Sequence, residues 1–290
     1  MNIERQCASH HGEMLQGMFQ FGEAEPIHAL VTMPCAIHKS VARILSRPCS
    51  GRLTVVPQYK TKSLNAAHAF LRHFGLPDFN GVVEIRTNAP EELGFGSSTM
   101  DVVATIYALA TYYSIELDAA TVAELSVRSE VASDSIMFDT GTVLFAQRAG
   151  RVLDSVPAKL TDVIVVGAKL RSSGVATLHL RMPPYSRGDV EQFERLWFIL
   201  RAGLETSDKK KIGAVCTESA LINQRYRPMP KFDQFLSLAE SAGALGCQVS
   251  HSGSIAGALF NACDAGDLMA EDFLMRLRVS GIDDVWRYEL

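Results

Sequence analysis

The stretch PEELGFGSSTMDVVATIYALATYY, residues 90–113, decides the fold of this chain. Two glycines and three hydroxyl-bearing residues stand directly before a long apolar run. The apolar run predicts a helix that continues to about Ser114. The segment before it is either an ordinary turn or a loop that holds a phosphate group.

Three features favour the phosphate loop. The chain enters through Pro90 and two carboxylates, which predicts an exposed connection. Gly94 and Gly96 have no side chain, so their backbone can approach a bulky ligand. The free N–H groups and the dipole of the first helical turn favour an anion. The serine hydroxyls there can donate to phosphate or bind Mg²⁺.

The loop differs from the two best-known phosphate motifs. The Walker A pattern G-x-x-x-x-G-K-[ST] is absent, and the dinucleotide pattern lacks its third glycine. The sequence therefore predicts a glycine-serine phosphate loop of another kind.

Composition excludes several classes of function. The 290 residues are 47% hydrophobic and 21% charged, with a net charge of -4, which indicates a globular protein. This charge does not favour nucleic acid or an anionic membrane as a partner. No apolar segment approaches the roughly 20 residues of a membrane helix, and the N-terminus does not resemble a signal peptide. We therefore expect a cytoplasmic protein with no membrane contact.

The six cysteines show no C-x-x-C spacing, so neither a zinc site nor a disulfide framework is indicated. We interpret them as small buried hydrophobic residues.

Strand and helix patterns alternate in both halves of the chain. Residues 27–45 predict strands broken at Pro34, and a helix is expected to begin at a cap on Asp118. A hairpin is expected to turn at Ala149 and Gly150. These patterns predict two α+β layers that share a cleft, with a boundary near Pro157.

Three motifs in order resemble those of the GHMP kinases. PEELGFGSST (90–99) resembles the phosphate motif P-x-x-x-G-[LM]-[GA]-S-S-[AST], with Phe95 in place of Leu or Met. HGEMLQG (11–17) is similar to the first motif of the family, and VSHSGSIAGALF (249–260) is similar to the third. Within the superfamily, GEMLQG, SSTMD, SDSIMF and SHSGS most resemble the L-threonine kinases of cobamide synthesis.

The resemblance implies a two-domain α+β fold with the active site in the cleft between the domains. Residues 1–157 would form a ribosomal-protein-like ATP-binding domain, and residues 158–290 a ferredoxin-like α/β sandwich. It also implies ATP and Mg²⁺. The residues expected to bind the nucleotide are Gly94, Phe95, Gly96, Ser97, Ser98 and Thr99.

The same resemblance points to Ser98 and Glu130 as ligands of Mg²⁺. Asp134 follows Glu130 by four residues, and a helix through both would place them on one face. One carboxylate could then hold the metal while Asp134 acts as a base or orients the substrate. Both roles of Asp134 stay open, and if SDS (133–135) forms a loop, the one-face argument fails.

The first and third motifs supply the expected substrate contacts. These are Glu13, His11, Ser252, Gly253 and Ser254. Glu13 could instead orient the loop, and the three residues of the third motif could instead support the phosphate loop. His10 and His11 are adjacent, so on an extended chain they face opposite sides and are not expected to bind one metal together, although either one could contact the substrate.

The sequence thus predicts an ATP-dependent kinase for an alcohol, most simply the side-chain hydroxyl of a hydroxy amino acid such as L-threonine or L-serine. The alternatives are a GHMP kinase for another small alcohol and a non-catalytic protein of this fold that binds a ligand. A diphosphomevalonate decarboxylase is not favoured, because its size and basic motifs are not evident. An oligomer is compatible with the sequence, which leaves the oligomeric state open.

Overall fold

The computed structural model describes residues 3–22, 24–46, 52–77, 80–90, 93–171 and 183–290. These residues form ten strands and seven helices. The strands are β1 (Ile3–Phe19), β2 (Ile27–Ser46), β3 (Thr54–Val56), β4 (Gly81–Thr87), β5 (Thr142–Ala146), β6 (Arg151–Val156), β7 (Val163–Lys169), β8 (Gly246–Val249), β9 (Ile255–Asn261) and β10 (Val285–Glu289). The helices are α1 (Thr61–His73), α2 (Ser97–Tyr113), α3 (Ala119–Glu130), α4 (Arg187–Glu205), α5 (Lys209–Tyr226), α6 (Phe232–Ser241) and α7 (Asp264–Val279).

One sheet runs through both halves of the chain, in the order β10-β7-β9-β8-β1-β2-β4-β3, with the β5–β6 hairpin attached to β2. The long strand β1 pairs antiparallel with β2 along its length and meets β8 where Glu13 faces Val249. The first motif of the sequence therefore lies where the two halves join. The domain boundary near Pro157 stays a prediction.

Three groups of buried apolar side chains hold helices on the sheet. Helices α1, α2 and α3 pack with β2 and β4 around residues such as Phe70 and Val103. Helices α4 and α5 pack on β1 around Phe193 and Trp197. Helices α6 and α7 pack on β7 and β9, with Phe273 at the centre. The glycine loop before α2 is thereby fixed above the middle of the sheet.

Several local predictions are confirmed. Helix α2 ends at Tyr113, and the Asp118 carboxylate caps α3 by accepting from the N–H of Thr121 at 2.7 Å. Strands β5 and β6 form the hairpin, and its turn contains Ala149 and Gly150. None of the described helices is long and apolar enough to cross a membrane.

Other local predictions were wrong. Strand β2 is not broken at Pro34. This residue pairs with His10 of β1, and the β1–β2 register shifts on either side of that pair. Such an irregular position accommodates a residue that has no N–H to donate. Four cysteines are buried, but Cys263 is exposed. Cys49, Glu91 and Glu92 lie outside the described residues.

The prediction that one helix carries Glu130 and Asp134 on the same face was also wrong. Helix α3 ends at Glu130, and Val131 adopts a φ of 72°, which stops the helix. Asp134 is therefore in the loop that follows, where its position depends on tertiary contacts.

Candidate active site

Helix α2 begins where the glycine loop ends. Gly96, the residue before the helix, has φ 68° and ψ 30°, in the left-handed region that favours glycine. Its carbonyl accepts the first helical hydrogen bond, from the N–H of Met100 at 2.9 Å. The N–H groups of Ser97, Ser98 and Thr99 precede this bond and have no partner within the helix. The loop therefore offers room and donors for an anion.

The serine loop between β8 and β9 packs directly on the glycine loop. A Cβ atom added to Gly94 would lie 2.6 Å from Ser250 Cβ and 3.1 Å from the Ser252 hydroxyl, so the contact requires glycine. The Ser250 and Ser252 hydroxyls are 3.0 Å apart. Ser250 Oγ also accepts from the N–H of Ser254 at 3.2 Å. Ser252 thus supports the glycine loop, Ser254 is buried, and Gly253 forms the turn with a φ of 68°.

Ser98, Glu130 and Lys62 form a chain of polar contacts at the first turn of α2. The Ser98 hydroxyl donates to Glu130 Oε2 at 2.6 Å. Lys62 Nζ, from the first turn of α1, donates to Ser98 Oγ at 2.9 Å and lies 3.7 Å from Glu130 Oε2. Burial raises the pKa of Glu130 to about 7, although the Ser98 hydrogen bond and the charge of Lys62 act in the opposite direction.

Thr99 joins Glu130 to Asp134. Its hydroxyl lies 2.9 Å from Glu130 Oε1 and 3.2 Å from Asp134 Oδ2. The two carboxylates therefore meet as the sequence suggested, but through a side chain of α2 rather than along one helix. The Asp134 side chain keeps 20% of its surface exposed, whereas that of Glu130 is 1% exposed. Asp134 is thus the carboxylate that faces solvent.

His10 contacts Asp134 from the buried side. His10 Nε2 donates to Asp134 Oδ2 at 2.9 Å, and the backbone N–H of His10 donates to the carbonyl of Phe95 at 3.4 Å. Burial alone would lower the pKa of His10, but the charge and hydrogen bond of Asp134 raise it to about 9. Burial alone would raise the pKa of Asp134, but His10 brings it below its usual value. The pair is therefore a cation and an anion at neutral pH.

An irregularity in β1 turns His10 and Glu13 to the same side. The β1–β2 register shifts between Ala8 and His10, and again between His10 and Glu13. Residues three apart on a regular strand face opposite sides, and a bulge reverses that alternation. Gly12 has a φ of 63°, and a Cβ atom there would lie 2.9 Å from the backbone of Val249. Glu13 Oε1 consequently lies 3.8 Å from His10 Nδ1.

Of His10, Asp134 and Glu13, Glu13 is the most deeply buried, with no exposed side-chain surface. Among the residues that the structure describes, no donor meets strict hydrogen-bond geometry with either carboxylate oxygen, although the Thr32 side chain is close enough to lower the pKa of Glu13. Burial raises the pKa of Glu13 to about 8, and the charge of His10 offsets part of this effect. Glu13 therefore lies behind His10 rather than at the cleft surface, and this position does not support direct contact with a substrate.

His11 points away from the carboxylates, toward β10. Its ring contacts Phe95 and Trp286 edge-on, with centroids 5.6 and 5.4 Å away, and its Nδ1 pairs with the amide of Gln248. Burial lowers the pKa of His11 to about 3, so the ring is neutral. The expectation that His11 contacts the substrate does not fit this fully buried position, and the histidine beside the carboxylates is His10.

Sequence reasoning missed two residues of this constellation. It left open which basic residue meets the phosphates, and the structure brings Lys62 to Ser98. It considered a substrate contact by either His10 or His11, but it did not predict the contact of His10 with Asp134. The local signals were weak: Lys62 is one of two lysines in the stretch QYKTKS, and His10 lies just before the first motif, two residues ahead of Gly12. Neither pattern indicates its partner, because those contacts come from helix packing and from the bulge.

Two family models match the chain, in order along the sequence. The model described as "GHMP kinases N terminal domain" matches residues 61–146, and the model described as "GHMP kinases C terminal" matches residues 200–271. The chain belongs to the GHMP kinase family. The N-terminal match contains the glycine loop, Glu130 and Asp134. The predicted two-domain α+β fold of the GHMP kinases is confirmed.

Individual relatives agree with this assignment. The L-threonine kinase of Salmonella typhimurium is 27% identical over 267 residues, which are 88% of this chain and 82% of the relative. The homoserine kinase of Cytophaga hutchinsonii superposes with a TM-score of 0.70 at 16% identity, over 100% of this chain and 95% of its own. A mevalonate diphosphate decarboxylase from Legionella pneumophila gives 0.68 at 13% identity, over 99% of this chain and 100% of its own. At such identities the solved structures show the fold alone.

The residues at the start of α2 fit a magnesium ion beside nucleotide phosphates. Mg²⁺ prefers oxygen ligands, and Ser98 and Glu130 present a hydroxyl and a carboxylate oxygen 2.6 Å apart. The raised pKa of the buried Glu130 means that its ionised form gains from a nearby cation. In the present structure, Lys62 supplies positive charge at this position.

Proposed function

We propose that this GHMP kinase transfers the γ-phosphoryl group of ATP to the side-chain hydroxyl of a small hydroxy amino acid of the L-threonine or L-serine type. The observation that carries the proposal is the division between two carboxylates joined by Thr99. Glu130 is buried against Ser98 and Lys62, whereas Asp134 is partly exposed and paired with His10. The amino-acid acceptor is suggested by the name of the relative that aligns over most of the chain.

The glycine loop forms the nucleotide side of this site. Gly94 and Gly96 let the backbone approach the phosphates, and the N–H groups of the first turn of α2 donate to them. Lys62 is close enough to Ser98 to add a positive charge at the same place. Bound Mg²⁺, held by Ser98 and Glu130, would neutralise charge on the phosphates during transfer.

Asp134 forms the acceptor side. The acceptor oxygen bonds to the γ-phosphorus, and the bond from that phosphorus to the bridging oxygen breaks, leaving its electron pair on ADP. The hydroxyl proton passes to Asp134 if this residue is the base. If Asp134 only orients the acceptor, it accepts the hydroxyl hydrogen bond and the proton leaves to solvent. The ionised state that His10 favours suits either role.

The acceptor is tested by measuring ATP consumption with L-threonine, L-serine, homoserine and unrelated small alcohols, followed by mass identification of the product. We expect a phosphorylated hydroxy amino acid, formed much more slowly by Asp134→Asn and at the wild-type rate by Asp139→Asn, a matched change at an exposed carboxylate of the same loop. Transfer only to an alcohol without an amino-acid group would show that the protein is a kinase for another small alcohol, which is the alternative function. ATP binding without transfer to any acceptor would favour the non-catalytic alternative.

A further inference from the structure

His10, Asp134 and Glu13 form a row that runs from the cleft into the interior. The exposed fraction of the side chain falls from 20% for Asp134 to 4% for His10 and to zero for Glu13. The imidazole lies between the two carboxyl groups, with Nε2 on Asp134 and Nδ1 toward Glu13. No role for His10 follows from the phosphate motifs of the sequence.

We propose that His10 is a positioning residue for Asp134, holding one carboxylate oxygen so that the other is presented to the acceptor. This inference rests on the proposed function, because it assigns Asp134 to the acceptor side of the site.

The hydrogen bonds to Asp134 support this assignment. Within the described part of the chain, His10 Nε2 and the Thr99 hydroxyl both contact Oδ2, at 2.9 and 3.2 Å. Because the side chain is partly exposed, Oδ1 is the oxygen available to a bound hydroxyl. The orientation of the carboxylate is thus fixed from behind, as a residue that contacts the acceptor requires.

His10 also couples Asp134 to the glycine loop. A Cβ atom at Gly96 would lie 2.5 Å from His10 Nε2 and 3.1 Å from Asp134 Oδ2. The backbone N–H of His10 donates to Phe95, the residue between the two loop glycines. The contact that orients Asp134 is therefore packed directly under the loop proposed to hold the phosphates.

Stability alone does not explain this pair. Burying an ion pair costs solvation of both charges, and apolar replacements of similar volume are often neutral or stabilising. Perturbed ionisable groups that face a cleft are characteristic of functional sites. The titratable groups around the pair are Glu13, Glu130, His11 and His251. Burial lowers the pKa of both of these histidines and raises the pKa of both carboxyl groups, so at each of the four burial disfavours the charged form. His10 is thus the cation of the cluster.

The first test is a titration of the histidine rings by ¹⁵N NMR, which needs no substrate. The chain has eight histidines, and the His10 signal is identified by its loss in His10→Gln. We expect its ring to remain doubly protonated at pH 8 in the wild type and to titrate at a lower pH in Asp134→Asn. His73→Gln, on the exposed end of α1, is the control and should leave the His10 titration unchanged. A neutral His10 at pH 7, or a titration that Asp134→Asn does not move, would overturn the proposal.

The second test is the pH dependence of turnover. His10→Gln keeps an N–H donor but loses the charge, so the pKa of Asp134 should rise and the acid limb of the kcat profile should move to higher pH. The KM for Mg·ATP should stay within about twofold of wild type, since the phosphate contacts remain. A lower melting temperature with an unmoved acid limb would make His10 merely structural and overturn its role.

Two further outcomes distinguish a failure of the proposed role of His10 from a failure of the proposed kinase function. If the wild type transfers no phosphoryl group, the proposed function fails and with it the catalytic purpose of the pair, while the NMR titration still decides whether the pair is charged. The ligand atoms of His10, Glu13 and Asp134 lie within 4.8 Å of one another, a spacing that a cation could bridge. Selective broadening of the His10 signal by Mn²⁺ without nucleotide would therefore show a metal in place of the proton and overturn the proposal.

Discussion

Glu130 and Asp134 share one hydroxyl group, that of Thr99, which lies 2.9 Å from the first carboxylate and 3.2 Å from the second. The two acids are thus held side by side at the N-terminus of α2, although α3 ends before it reaches Asp134. Their surroundings differ: Glu130 contacts Ser98 and Lys62, and Asp134 contacts His10. This difference supports the proposal that Glu130 serves the nucleotide side of the site and Asp134 the acceptor side.

Removing the Ser98 hydroxyl should weaken the metal site. Ser98→Ala removes a ligand from the set proposed for Mg²⁺, so turnover should fall most at limiting Mg²⁺ and recover partly with excess metal. Ser97→Ala, one residue earlier, is the matched control, because no carboxylate contact of Ser97 is seen in the described residues. Steady-state rates across a Mg²⁺ titration measure the effect. Equal metal dependence in the two variants would remove Ser98 from the metal site.

Gly96→Ala should cost activity beyond its cost in stability. An alanine in the left-handed region costs about 1–2 kcal/mol wherever it stands. Gly75→Ala is the control, because Gly75 has a φ of 60° with no atom within 4 Å of an added Cβ. At Gly96 the same Cβ meets His10 and Asp134. We expect Gly75→Ala to lower only the melting temperature and Gly96→Ala to lower kcat as well. Wild-type kcat in Gly96→Ala would show that this packing does not matter.

Lys62→Met should weaken nucleotide binding. It removes a charge-assisted contact near the phosphates and lets the pKa of the buried Glu130 rise further. The Kd of Mg·ATP should increase by about tenfold or more, the usual worth of a hydrogen bond to a charged group. Lys231→Met, which removes a lysine bound to a backbone carbonyl far from the site, should leave the Kd unchanged. Calorimetry that finds the same Kd in both variants would exclude Lys62 from the phosphate site.

Glu13 should make the protein less stable as the pH rises. Its pKa is about 8 in the folded state against an ordinary value of 4.5, so between these values the folded state holds a proton that the unfolded state lacks. Stability from this group is therefore complete below pH 4.5 and is lost as the pH rises through 8. In Glu13→Gln the fall in melting temperature between about pH 6 and pH 9 should be smaller than in the wild type. Glu124→Gln, an exposed control, should follow the wild type, and an identical slope in Glu13→Gln would contradict the buried neutral carboxyl.

The sequence predicted the parts of this protein that depend on local pattern. Glycines before an apolar run identified the loop and α2, and Asp118 identified the start of α3. The motif resemblance brought in Ser98, Glu130 and Asp134, all of which lie at one place in the structure.

The remaining features depend on contacts between distant segments. The approach of Lys62 to Ser98 follows from the packing of α1 against α2, which no local spacing encodes. His10 rather than His11 lies on the same side as Glu13 because β1 has a bulge at Gly12. A one-residue irregularity of this kind changes which side chain faces the cleft. A regular alternation through HHGE predicts that His10 and Glu13 face opposite sides, and the bulge reverses this.

The most direct measurement of the central claim is calorimetric titration of Mg·ATP into Glu130→Gln and Asp134→Asn, paired with steady-state kinetics of the same two proteins. We predict that Glu130→Gln binds Mg·ATP more weakly, with partial rescue by excess metal. Asp134→Asn should bind Mg·ATP almost as the wild type does. Its turnover should fall by about 10²–10⁴-fold if Asp134 is the base, whereas the acceptor KM should rise if it only orients the substrate. Loss of nucleotide binding in Asp134→Asn with normal binding in Glu130→Gln would contradict the account, because the two carboxylates would then have the opposite roles.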